Sequence, residues 1–251
     1  MGSLVEKRKG ISGAGLKWIA ILSMLIDHAA AVLIEQGRWV VEPYRPGLVP
    51  DILLRLLGRL AFPIFCFLLV EGYLHTRSRA KFLTRLLLFG LVSELPFDMA
   101  FSRRLFDWSA QNVYFTLALG LLAMLLWDRI TRGDLRGCGW LRRLGALLSL
   151  AAMAFLAWFF KTDYGAYGVL LIAALYLFRR MEWLRFLGAG AVLLCCNLME
   201  AAALPDFALF HAYNGERGRQ PKYLFYVFYP AHLLCLVLLR RLLFGPGLLR
   251  F

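Results

Sequence analysis

Runs of apolar residues long enough to cross a bilayer follow one another along this chain, interrupted by short polar breaks. Measured from break to break they predict eight helices, at residues 13–34, 52–74, 82–101, 113–127, 144–160, 164–178, 183–204 and 223–243. The fourth to sixth are shorter than the roughly 20 residues that a span needs. The expected fold is all-α: a polytopic transmembrane bundle of about eight helices, forming one domain over residues 1–251.

Positive charge falls in alternate breaks. Lys7, Arg8 and Lys9 precede the first run; Arg77, Arg79 and Lys81 follow the second; Arg129, Arg132, Arg136, Arg142 and Arg143 follow the fourth; Arg179, Arg180 and Arg185 follow the sixth; Arg240 and Arg241 close the eighth. Short loops rich in Lys and Arg stay on the cytoplasmic side, so these loops and both termini are expected there. The opposite loops balance their cations with acids, and the longest of them, residues 205–221, is expected to face outward. The basic stretch before the first run has the outline of a signal peptide, but Asp27 and His28 inside that run argue for a retained helix.

Composition agrees with the pattern. The chain is 61% hydrophobic, against about 45–50% apolar in ordinary soluble domains. A net charge of +13 in a soluble protein suggests nucleic acid; here it follows the loops, and no nucleic-acid partner is expected. The five cysteines lie mostly inside the runs, with no CxxC pair and no histidine at metal-ligand spacing, so neither a disulfide framework nor a zinc site is indicated.

The informative residues are those that break the apolar pattern. Asp27 and His28 interrupt the first run, Arg59 and Glu71 the second, Glu94 and Asp98 close the third, and His232 lies within the last. A charged side chain at mid-membrane costs about 2.5–3.5 kcal/mol on insertion scales, so a set of them marks a polar functional cavity. Gln111 and Asn112 open the fourth run, Asp163 and Tyr164 the sixth, and Tyr229 stands beside His232; all fall at similar depth. Glu94 and Asp98 are four apart and share a face, with Pro96 bending the helix between them. Simpler structural roles compete residue by residue: Asp27 with Arg59 as a buried ion pair, Lys17 as a snorkelling end residue, Glu200 and Asn197 as polar glue.

Lys17 and His28 are eleven residues apart, about three turns plus 20 degrees, with about 16 Å of rise. They point the same way, an arrangement that suits a long cofactor held by its phosphates at one end with its reactive tip at the other. Asp27 cannot orient His28, because adjacent helical residues diverge by about 100 degrees. The partner of His28 is expected on another helix, with Glu94, Asp98 or Asp163 as candidates.

At these residues the chain resembles the TraX family, membrane proteins named for N-acetylation of conjugative pilin. The stretches that carry the resemblance are LKWIAILSMLIDH, GRLAFPIFCFLLVEGYLHTRSRAKFLTRLLLFGLVSELPFD, QNVYFTLALGLL, DYGAYGVLLI and YNGERGRQPKYLFYVFYPAHLL. More distantly, Lys17 and His28 followed by FCFLLVEGYL are similar to the first-helix basic residue, histidine and later apolar segment of integral membrane acyltransferases. Lys17 stands where those enzymes carry Arg, and Glu71 where they carry Ser.

The resemblance implies a multi-pass protein of the bacterial inner membrane that transfers an acetyl group from cytoplasmic acetyl-CoA to an amine, such as a peptide or pilin-like amino terminus, or to a hydroxyl of a small molecule. The catalytic set expected on that reading is His28, Asp27, Arg59, Glu94 and Asp98. His28 serves as the base that frees the nucleophile, and Arg59 faces the oxyanion, with Asn112 or Tyr229 as neutral donors. Lys17, Glu71, His75, Arg77, Arg79 and Lys81, with Arg85, are expected around the acyl-CoA donor; Gln111, Asn112, Asp163, Tyr164, Asn214, Lys222, Tyr229 and His232 around the acceptor. No metal is needed. Two other readings use the same residues: a proton-coupled transporter or channel with the buried acids and His28 as relay, and a non-catalytic partner that holds peptide substrates on residues 205–221.

Overall fold

Helices form where the apolar runs predict them, and most departures trace to a proline, an asparagine or a pair of π-helical turns. The computed structural model describes residues 9–35, 48–132, 139–221 and 223–245. Ser12 caps α1 (Gly13–Ala29), its hydroxyl accepting from the Gly15 amide at 3.3 Å. The chain then widens into a π-helical segment, Ala30–Glu35.

The second apolar run makes two helices, α2 (Leu48–Gly58) and α3 (Ala61–His75), in place of the single one expected at 52–74. Pro63 is the reason. A helix continuous through it would need an amide hydrogen that proline lacks, and the ring would press on the Arg59 carbonyl. Gly58 fits the corner because a Cβ there would lie 2.3 Å from the Asp27 carboxylate.

Ser78 caps α4 (Arg79–Phe97), which contains Pro96 and passes into a second π-helical segment, Asp98–Ser102. Helices α5 (Val113–Arg132), α6 (Gly139–Phe159), α7 (Gly165–Leu177) and α8 (Glu182–Cys196) follow. α5 and α6 are longer than the expected 113–127 and 144–160. Arginine is a good helix former, and at a helix end its long side chain carries the charge clear of the apolar surface. The run expected to be helical over 183–204 stops early at Asn197, whose side chain accepts from the Met199 amide at 3.1 Å. A 3-10 segment, Leu198–Ala203, then leads to α9 (Asp206–His211), and α10 (Leu224–Phe244) ends the described chain.

Among the described residues, five stretches are long and apolar enough to cross a membrane: Gly13–Glu35, Pro50–His75, Val113–Arg132, Gly139–Phe159 and Leu224–Phe244. α6 turns Leu147, Leu148, Phe155 and Phe159 outward, an apolar face suited to lipid. α3 is the core, burying Ile64, Cys66, Phe67, Leu69, Val70 and Tyr73 against its neighbours. At its end, buried Asp128 accepts from the hydroxyls of Tyr73 at 2.9 Å and Tyr176 at 2.5 Å and pairs with Arg132 at 3.2 Å, tying α3, α5 and α7 together.

One part of the expected topology changes. The Ile11 amide donates to the Ala212 carbonyl at 2.8 Å, the Asn214 amide to the Ile11 carbonyl at 3.0 Å, and Lys17 Nζ to Gln220 Oε1 at 2.7 Å. The loop expected to face outward therefore lies beside the start of α1, which we call the near end. It returns there because the chain after Asn197 descends through the bundle again: Phe207 stacks on Phe186, Phe210 on Phe67, and His211 reaches Glu182 at the start of α8. α10 consequently starts at the near end and runs alongside α1 to the far end, where Arg240 donates to the carbonyls of Ala100 at 2.8 Å and Met99 at 2.7 Å. Gly13 and Phe244 thus lie at opposite ends of the bundle, in place of the same side that the charge pattern predicts. Arg217 and Arg219 join Arg77 and Arg132 at the near end, while Arg240 and Arg241 leave that group.

Candidate functional site

Two cavities adjoin at one phenylalanine. The deeper, of about 280 Å³, is walled by residues of α1, α2, α3, α10 and the α6–α7 turn, among them Asp27, His28, Arg55, Arg59, Phe62, Asp163, Tyr164 and Tyr229. The other, of about 320 Å³ and nearer the start of α1, is lined by Lys17, His75, Arg85 and Arg217 together with Phe82, Phe225 and Tyr226. Phe65 lines both. The shared direction of Lys17 and His28 along α1 therefore places one in each cavity.

His28 is the last residue but one of α1, with Ala29 between it and the π-helical segment, and His232 sits mid-way along α10. His28 Nδ1 lies 2.7 Å from His232 Nε2. The ring centroids are 5.0 Å apart and the planes within 8°. Parallel rings with nitrogens that close are joined edge to edge, since face-over-face stacking would hold every atom pair farther apart. His232 Nδ1 donates to the Phe228 carbonyl at 2.8 Å. The His28 ring also makes T-shaped contacts with Phe101, from the second π-helical segment, and with Tyr229. The expected partner of His28 was Glu94, Asp98 or Asp163; the hydrogen-bond partner is His232 instead, reached across 204 residues of sequence.

Glu94 and Asp98 serve the helix ends. Glu94 Oε1 accepts from the Asn112 amide at 2.9 Å and from its side-chain Nδ2 at 2.5 Å, fastening α4 to the start of α5. Asn112 Nδ2 also donates to the Gly90 carbonyl. Asp98 Oδ2 accepts from the Asp107 amide at 2.8 Å. Both acids accept backbone N–H bonds at a bent helix end, an arrangement that spacing alone does not tell from a catalytic pair. Gln111 exchanges backbone bonds with Lys161 and Asp163, so it fixes the turn before α7.

Asp27 and Arg59 do line the deep cavity, inside a ladder of ion pairs. Arg55 Nε meets Glu35 at 3.0 Å, Arg55 Nη1 meets Asp27 at 2.6 Å, Arg59 Nη2 faces Asp27 at 3.6 Å, and Arg59 Nη1 meets Glu200 at 2.9 Å. Arg55 and Glu200 carry this ladder without having been assigned a role from sequence. Arg55 had a legible signal, since it lies four residues before Arg59 in the same apolar run. Asp163 adds a buried carboxyl in the turn between α6 and α7; burial pushes it up to about 6, with the Arg59 guanidinium pulling the other way. Tyr164, held left-handed at φ 61°, stacks on Phe62 with centroids 3.6 Å apart. A bulky residue in that region is a local strain of the kind found at binding sites.

Near the start of α1 the expected donor-binding set is rearranged. Lys17 and His75 line the nearer cavity, whereas Arg79 turns to Asp128 at 3.5 Å and covers the Tyr73 ring. Lys81 is an exposed first-turn residue of α4, its amide capped by Ser78. Arg77 lies in the turn before that helix, and Glu71 lies 3.8 Å from exposed His75. Arg217 takes the place expected for the Arg77 loop, because residues 212–220 fold back onto α1. Asn214 is used in that fold-back: its amide bonds Ile11, and its Oδ1 accepts from the Glu216 amide at 2.9 Å. It lies far from the deep cavity. Lys222 lies outside the described residues. Pro230 withholds the amide that the Tyr226 carbonyl would receive in a regular helix, and the Tyr114 hydroxyl donates to that carbonyl at 3.2 Å.

Comparison with known proteins agrees over nearly the whole chain. The probable fimbrial assembly protein FimC, serogroup H1, of Dichelobacter nodosus is 34% identical, in an alignment covering 88% of this chain and 93% of that protein. No solved structure matches. The family model described as TraX protein matches residues 12–240, and the chain belongs to the TraX family.

Proposed function

We propose that this protein is an acyltransferase of the bacterial inner membrane, moving an acetyl group from cytoplasmic acetyl-CoA to an amine or hydroxyl acceptor. The observation that carries the reading is the junction at Phe65, where a cavity lined by Lys17, Arg85 and Arg217 adjoins one lined by His28. The cationic cavity suits the phosphates of CoA, and Phe225 and Tyr226 offer rings to its base. The rise of about 16 Å from Lys17 to His28 along α1 is of the length of a pantetheine arm. The thioester then reaches His28 past Phe65.

In the transfer, the acceptor N–H or O–H gives its proton to His28 as its lone pair attacks the thioester carbonyl carbon. The oxyanion that forms is neutralised by a donor on the cavity wall. Arg59 is already matched by Asp27 and Glu200, and Asn112 by Glu94, so Tyr229 is the donor best placed beside His28. Collapse breaks the C–S bond, and the CoA thiolate leaves with the proton from His28. The acetylated acceptor and CoA are the products, and no external oxidant or reductant is required. The name of the relative, a probable fimbrial assembly protein, supports a pilin-like peptide as acceptor.

Binding of acetyl-CoA to the purified protein, competed by CoA, tests the proposal. The wild type is expected to bind, and the Lys17→Ala, Arg217→Ala double variant to bind much more weakly. No binding by the wild type at millimolar donor overturns it. The proton-relay reading, which uses the same imidazoles and acids, then becomes the one to test by flux.

A further inference from the structure

We propose that His232 is a positioning residue that fixes the tautomer of His28, so that the nitrogen left bare on His28 is Nε2. The inference rests on the reading of His28 as the base. It follows from three hydrogen-bonding groups in a row. A backbone carbonyl only accepts, so His232 Nδ1, at 2.8 Å from the Phe228 carbonyl, carries a hydrogen. A neutral imidazole has one N–H, so His232 Nε2 presents a lone pair. His28 Nδ1, at 2.7 Å, must then donate to it, and Nε2 of His28 holds the free lone pair.

The neutral form of His232 is the one its surroundings favour. Its ring lies against Phe228 and Tyr229, and against His28, which must also be neutral to act as a base. The near-coplanar rings give a straight bond, and the π-helical segment after His28 packs against α10, the helix that carries His232. A carboxylate in the same position would also hold Nδ1–H, but it would add charge to a cavity that already holds Asp27 and Asp163. A second imidazole sets the tautomer without adding charge. This is the orienting part of a triad, made from a histidine and a main-chain carbonyl.

The test uses full-length protein in detergent with nitrogen-labelled histidine, together with steady-state acetyl transfer. In the wild type, both His28 and His232 are expected to carry the proton on Nδ1. His232→Leu removes the acceptor; His28 is expected to shift toward the Nε2–H form, and kcat to fall about 100-fold or more while KM for acetyl-CoA holds. His232→Gln, whose side-chain oxygen can accept from His28 Nδ1, is expected to restore both the wild-type tautomer and most of kcat. A wild-type spectrum with the proton on His28 Nε2 overturns this inference alone and leaves His28 as a candidate acid or base. A His232→Leu protein that keeps full kcat overturns it as well. Turnover unchanged in His28→Ala overturns the base assignment itself, and this inference with it.

Discussion

The Arg59 guanidinium meets the Glu200 carboxylate at 2.9 Å, joining the corner between α2 and α3 to the 3-10 segment after α8. The Glu200 side chain is only 3% exposed, so the bond is made almost out of contact with solvent. Removing one partner of a buried pair strands the other charge and costs about 3–5 kcal/mol. Glu200→Ala is expected to lower the thermal midpoint of the purified protein clearly, and the Arg59→Ala, Glu200→Ala double variant to lose less than the sum of the single changes. Thermal unfolding of the four proteins in one detergent measures this. Additive losses would mean that the pair contributes nothing as a pair.

Because the Arg59 charge is matched on two sides, the rate should depend more on Tyr229. Tyr229→Phe keeps the ring against His28 and removes the hydroxyl donor; kcat is expected to fall about 100- to 1000-fold with little change in KM. Steady-state kinetics at saturating acceptor checks it. A wild-type rate in Tyr229→Phe removes the hydroxyl from the chemistry.

The cationic cavity makes a separate prediction about donor affinity. Lys17→Ala and Arg217→Ala are each expected to raise KM for acetyl-CoA about tenfold, the loss of one charge-assisted contact, with kcat nearly unchanged. Arg77→Ala, in the turn before α4, is expected to leave KM near the wild-type value. A large effect of Arg77→Ala and none of Arg217→Ala would move the donor site to the loop that the sequence first suggests.

Much of the fold is readable along the chain because apolar runs of bilayer length leave few alternatives, and helices α4, α5, α7 and α10 lie close to where the pattern puts them. The misses are local. Pro63 splits a run whose hydropathy is continuous, and Asn197 ends α8 inside another, so the extra descent through α9 is invisible to a hydropathy reading. That descent reverses the side of residues 212–220, and with it the placement of Asn214 and Arg217. In the site, His28 and Lys17 are legible from their helical spacing. The partner of His28 is not, because pairing across 204 residues leaves no periodic signal. Glu94 and Asp98 look like a catalytic pair from their spacing and are helix-end acceptors in three dimensions.

The fold-back of the segment before α10 can be tested from outside the protein. Single cysteines placed by Arg219→Cys and Arg77→Cys, in a background lacking native thiols, are expected to react with a membrane-impermeant reagent from the same side, and Arg104→Cys from the other. Labelling of Arg219→Cys together with Arg104→Cys contradicts the arrangement of α9 and α10.

The role of His28 as the base of an acetyl transfer is tested most directly by CoA release from acetyl-CoA by the protein in lipid nanodiscs, wild type beside His28→Ala. The wild type is expected to release CoA, and His28→Ala to do so at least about 100-fold more slowly while still binding the donor. Equal release by both proteins, or donor binding by the wild type with no release in the presence of peptide amine and hydroxyl acceptors, would contradict it.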